Sequence, residues 1–179
     1  QLRESDISQK YNGYYMADDY QWTGNVEWCN WIYTYDEQYD AYIVLTNTNN
    51  CYRYSTVFAT VEEMQDDYGK YTCCKCDVNF ENEYIENIAH SFEHTAQLKY
   101  GVRTGYKYAE HEYKILVYDD ELQMYVIFEV WLGEYYKAFE VVKTVDELEY
   151  YYVIKYCIAT VDIETKTFTI IKHHSSCMQ

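Results

Sequence analysis

Hydrophobic and polar residues alternate in short runs along most of this chain, and turn residues bound each run, which is the pattern of half-buried β-strands. The alternation predicts strands at Trp28–Tyr35, Ala41–Thr48, Tyr52–Val61, Lys70–Phe80, Gln97–Val102, Gly105–Tyr108 and Tyr113–Tyr118. Asp66-Asp67-Tyr68-Gly69 reads as a hairpin turn. Beyond Asp119 the pattern is clearer. A strand from Met124 to Trp131, a turn at Gly133-Glu134 and a strand from Tyr135 to Lys143 lead into Thr144-Val145-Asp146-Glu147. That last run sets a hydroxyl three residues before an acid, the signature of a capping box. It predicts a helix over about 145–158, followed by an extra strand over about 166–172 and then Cys177. About eight antiparallel strands ahead of a single convincing helix predict an all-β fold. Closure into an eight-stranded up-and-down barrel, with the C-terminal helix packed outside, would remove exposed strand edges.

Composition narrows the class. With 179 residues and no linker-like stretch, the chain predicts one domain, 1–179. Twenty-five tyrosines among 20% aromatic residues supply apolar surface suited to a pleated sheet, so this is not a disordered acidic tail. Proline is absent and glycine scarce, against collagen-like or low-complexity readings, and no repeat of solenoid length stands out. A formal charge of -16 argues against nucleic acid and anionic membranes, leaving a cationic or neutral partner electrostatically easier. No run of apolar residues is long enough to span a bilayer. Seven cysteines predict an oxidising compartment, hence a secreted, extracellular protein whose signal peptide has been removed. No Asn-x-Ser/Thr sequon occurs.

Several motifs together resemble the lipocalin family. Asp6 to Tyr15 is similar to the family's entry motif, with Gly13 in place and Tyr15 where the family has tryptophan. Asp119-Asp120-Glu121-Leu122-Gln123-Met124-Tyr125 resembles the acidic turn before the seventh strand, about two residues longer. Lys143 stands where the family ends its eighth strand on a basic residue, usually arginine. The resemblance implies a barrel floor of Gly13, Tyr15 and Lys143, with the Lys143 cation over the Tyr15 ring. From insect and crustacean members it implies a Cys29–Cys177 disulfide. It also implies a carrier that takes a small hydrophobic or amphipathic molecule into the barrel: a biogenic amine, a fatty acid or lipid mediator, or a pigment such as a bilin or carotenoid. Two-residue alternation, aligned on these motifs, points Trp31, Tyr33, Val44, Tyr113, Val126, Phe128 and Phe139 inward as ligand-binding residues. From another class comes an interaction protein whose barrel is filled by its own tyrosines and whose loops bind a protein.

The remaining cysteines are Cys51, Cys73, Cys74, Cys76 and Cys157, and an odd total leaves one thiol unpaired, modified or bridging an oligomer, which could equally be non-covalent. On a strand, Cys74 and Cys76 share one side and Cys73 takes the other. Extra disulfides of unassigned pairing are the bland reading; a soft-metal thiolate site or a covalent bilin on Cys73–Cys76 are sharper ones. A single clustered tripod matches zinc spacing poorly, so no metal is expected and no cofactor is required. His90 and His94 would share a face only on a helix and read as surface residues. No nucleophile, base and orienter fall at a catalytic spacing, so no enzyme is expected.

Overall fold

The computed structural model describes residues 3–17, 29–101, 105–107, 114–131, 135–151 and 156–173. Within them lie twelve strands and four helices. They gather into two compact units, one built from the described residues up to His94 and the other from Thr95 onward.

The first unit opens with α1 (Glu4–Lys10) and a short β1 (Met16–Ala17). Strands β2 (Trp31–Asp36), β3 (Ala41–Thr48) and β4 (Cys51–Phe58) follow as an antiparallel meander. The β3–β4 turn places Asn49 and Asn50 at φ 49° and 70°, two successive left-handed residues that match the right-handed twist of the flanking strands. Thr60 then caps α2 (Val61–Tyr68), its hydroxyl accepting from the Glu63 amide, and Gly69 ends that helix at φ 117°. The chain returns as β5 (Cys74–Asn79) and β6 (Tyr84–Ala89). Because a helix carries the crossover, β5 runs parallel to β2, pairing Ile32 with Cys74. The sheet order is β1-β6-β5-β2-β3-β4, and Tyr15 bridges Tyr52 of β4 while β1 pairs with β6. The segment Tyr15–Ala17 thus reaches both edges of a curled sheet. Its concave face buries Ile7, Tyr11, Ile32, Ile43, Leu45, Tyr52 and Ile85. Burying Ile7 alone contributes roughly 1.5–3 kcal/mol, which holds α1 on the sheet.

Helix α3 (Phe92–Tyr100) belongs to the first unit through His94 and to the second from Thr95, and the second unit repeats the order of the first: α3, β7 (Tyr106–Lys107), β8 (Lys114–Asp119), β9 (Met124–Trp131), β10 (Tyr135–Val142), α4 (Val145–Tyr151), β11 (Tyr156–Asp162) and β12 (Thr167–His173). Its sheet runs β12-β11-β8-β9-β10-β7, with β11 parallel to β8. Correspondences reach single residues. Asp36 and Asp119 end β2 and β8, Met64 of α2 and Leu148 of α4 are buried, and Asp40 and Gln123 hold positive φ in matching turns. Glu83 and Lys166 do so in the last hairpin of each unit.

This topology overturns the eight-stranded barrel with one outer helix. Twelve described strands form two curled sheets of six, with parallel pairs that an up-and-down barrel lacks. The physical reason is that α2 and α4 turn what reads as a continuous meander into crossovers. Asp66 to Tyr68 belong to α2, not to a hairpin turn. Residues 97–100, expected as strand, complete α3, while Gly101, the next residue, takes φ 82°. The helix at 145 starts where the capping box predicts but ends at Tyr151, and β11 occupies the end of the expected span.

Candidate metal centre

Strand β5, helix α3 and the residues before β2 and after β6 bring together four side chains from three separate stretches of the chain. Sγ of Cys29 and Cys74 and a ring nitrogen of His90 and His94 all lie within 4.8 Å of one another. Each donor has a structural cause. Cys29 precedes β2, Cys74 opens β5 opposite Ile32, and His90 follows β6 beside it, since Lys75 pairs with Ala89. Ser91 starts α3 by accepting the His94 amide on its hydroxyl, at 3.1 Å, and this cap turns the His94 ring back toward His90. Cys29, Cys74 and His94 are buried, whereas His90 reaches solvent.

The sulfur-to-nitrogen separations match those around a four-coordinate ion, while the two ring nitrogens lie closer together than such an ion would hold them. Cys29 Sγ lies 3.5 Å from His90 Nδ1 and 3.3 Å from His94 Nδ1, and the two Nδ1 atoms are 2.8 Å apart. A tetrahedral zinc with two sulfur and two nitrogen ligands has S···N edges of roughly 3.5 Å and N···N edges of roughly 3.3 Å. Two Nδ1 atoms this close share at most one proton, so each ring directs a lone pair or a single N–H at the same point. The Cys74 thiol is held well below its ordinary value, chiefly by its hydrogen bond with Cys29, then by His94 and the Ser91 amide, all working against burial. That amide donates to Cys74 Sγ at 3.3 Å, the outer-shell support a metal thiolate receives. The neighbouring thiols differ. Burial pushes Cys73 and Cys76 up to about 12 each, and Cys76 packs in the core beside Cys74.

The disulfide expectations change accordingly. Cys29, Cys51, Cys73, Cys74 and Cys76 are thiols, so Cys29 faces two imidazoles instead of forming the Cys29–Cys177 bridge, and Cys177 lies outside the described residues. Cys157 is disulfide-bonded. The inward-facing set divides between the units. In the first, Val44 is fully buried while Trp31 packs on Tyr68 and Tyr33 on Tyr42, at 5.5 and 6.2 Å between ring centroids. In the second, Val126 and Phe128 are fully buried, and Phe139 sits at the β9–β10 bulge with its carbonyl accepting from Gln97. Tyr113 lies outside the described residues. Of the expected barrel floor, Tyr15 is buried with Gly13 against its ring and Phe80 at 6.2 Å. Lys143 follows β10 in the other unit, its amide donating to Glu147. Sequence reasoning set His90 and His94 aside because they would share a face only on a helix and none was expected there, the next strand being placed at Gln97–Val102. The signal that could have placed them is Ser91, a capping residue three positions ahead of His94.

Among the described residues no helix is long and apolar enough to cross a membrane. No protein family, curated protein or solved structure matches the chain, so the geometry of these four donors is what speaks for its chemistry.

Proposed function

We propose that the first unit is a zinc-binding module in which Cys29, Cys74, His90 and His94 hold one Zn²⁺ as a structural ion. The observation that carries this reading is the convergence of two sulfur and two nitrogen donors within 4.8 Å. Two thiolates and two imidazoles select zinc over magnesium or calcium, which prefer oxygen ligands. Four protein donors fill a tetrahedral shell and leave no position for a substrate, the mark of a structural site and not of a catalytic one. The ion would tie the segment before β2 to the start of β5, to the residue that follows β6 and to α3. Carriage of a small ligand, implied by the lipocalin resemblance, keeps no support from a single eight-stranded barrel.

The test is elemental analysis and cobalt substitution of the purified protein. One zinc per chain without reductant, and the visible absorption of tetrahedral S₂N₂ cobalt after exchange, are expected. His94→Ala should abolish both. A wild-type protein that takes up neither ion, or a His94→Ala variant that keeps them, would sink the proposal. At zinc a hundredfold above its dissociation constant, the bound ion adds about 2.7 kcal/mol to stability, so a chelator should lower the melting temperature by several degrees.

A further inference from the structure

Two of the four donors at the first unit's metal corner are thiols, and their sulfurs lie within 4.8 Å of each other. Cys74 starts β5 and is fixed by its pairing with Ile32, whereas Cys29 lies before β2, its carbonyl accepting the Tyr52 hydroxyl at 2.9 Å. A short approach of the two sulfurs, to about 2 Å, turns them into a disulfide. His90 is the exposed donor, 3.5 Å from the Cys29 sulfur, so a small oxidant meets Cys29 first, with Cys74 fully buried behind it. The second unit shows that such a corner accepts a disulfide. Cys157 pairs with Ile115 of the parallel β8 as Cys74 pairs with Ile32 of the parallel β2, and Cys157 is disulfide-bonded. Its sulfur lies 3.3 Å from His173 Nδ1, the separation of the Cys29 sulfur from His94 Nδ1.

We infer that this centre is a peroxide-responsive switch, in which Cys29 and Cys74 exchange their bonds to zinc for a disulfide with each other. The Cys29 thiolate attacks hydrogen peroxide: an S–O bond forms as the O–O bond breaks, and the departing hydroxide takes a proton from solvent to become water. The Cys74 thiolate then attacks the Cys29 sulfenic sulfur. The S–S bond forms, the S–O bond breaks, and a second hydroxide leaves as water with a second solvent proton. Two electrons have passed from sulfur to peroxide, and Zn²⁺, left with two imidazoles, dissociates. The corner is held by an ion in the reduced chain and by a covalent bond in the oxidised one.

The inference rests on the zinc reading of the first unit, and the experiment separates the two. The zinc-loaded full chain is titrated with hydrogen peroxide in the presence of a chromophoric chelator, and its peptides are then mapped by mass spectrometry without reduction. One equivalent of peroxide should release one zinc, remove two thiols and link the peptides of Cys29 and Cys74. A trialkylphosphine should restore both thiols and the capacity for one zinc. Cys73→Ser, which removes a thiol outside the four donors, should change none of this. A chain that carries no zinc at the outset would overturn the zinc reading and the switch with it. A zinc-loaded chain that keeps its metal and both thiols under excess peroxide would overturn the switch alone. So would release of zinc with Cys29 or Cys74 linked to Cys51, Cys73 or Cys76, or with neither sulfur in a disulfide.

Discussion

Asp36 and Asp119 are buried, one in each unit, and each is the hub of the same arrangement. Asp36 receives Lys10 Nζ and Tyr11 Oη, both at 2.7 Å, and the amides of Gln38 and Tyr39. Asp119 receives Lys99 Nζ at 2.8 Å, Tyr100 Oη at 2.6 Å and the Leu122 amide. Burial pushes both carboxyls up, but the lysine and tyrosine donors outweigh it, and both end below the usual carboxylate value. The stability each contributes is present above its ordinary value of 3.8 and is lost as pH falls through the depressed one. Acid unfolding of the wild type should therefore steepen below that point, and Asp36→Asn with Asp119→Asn should flatten the profile there while lowering stability at neutral pH. Tyr11→Phe or Tyr100→Phe should each cost about 1–2 kcal/mol in denaturant titration, because the carboxylate keeps its lysine and amide donors. A loss below ~0.5 kcal/mol would show that the tyrosine hydroxyl is dispensable there.

Among the elements, strands were legible where alternation was strong and both ends were marked. β3 and β9 fall at the expected bounds, and β12 within a residue or so. The helices were legible only where a capping box was recognised. Thr60-Val61-Glu62-Glu63 is the same device as Thr144-Val145-Asp146-Glu147, yet the acids that follow it also suit a turn, and the turn reading hid α2. Without α2 the parallel pairing of β5 with β2 could not be inferred, and without α3 His90 and His94 had no common target. Backbone conformation supplies a test at this scale. Asn50 at φ 70° sits where a β-branched residue is strained, so Asn50→Val should destabilise the first unit by about 1–3 kcal/mol. The β3–β4 amides should exchange faster in that variant. Unchanged exchange would show that the turn tolerates another conformation.

Taken as a whole, the chain is two units of one design, and no single sequence window reveals this. The resemblance to a barrel family drew on Gly13 and Tyr15 from one unit and on Lys143 from the other, which is why its motifs read as one fold when they belong to two sheets. The zinc reading makes a prediction at this level: hydrogen exchange after chelation should rise in β5, β6 and the start of α3, while β8 and β9 keep their protection. Equal loss of protection in both units would assign the ion a role beyond the first.

Two units in one chain also mean that this protein carries its own comparison. What both copies keep, a lysine-tyrosine pair reaching a buried aspartate, a capped crossover helix and left-handed residues at matching turns, is what the shared scaffold demands. What they do not keep in common, two thiols and two imidazoles converging in one and a disulfide beside an imidazole in the other, is where the two units differ in chemistry. Scaffold and chemistry can thus be told apart inside a single molecule.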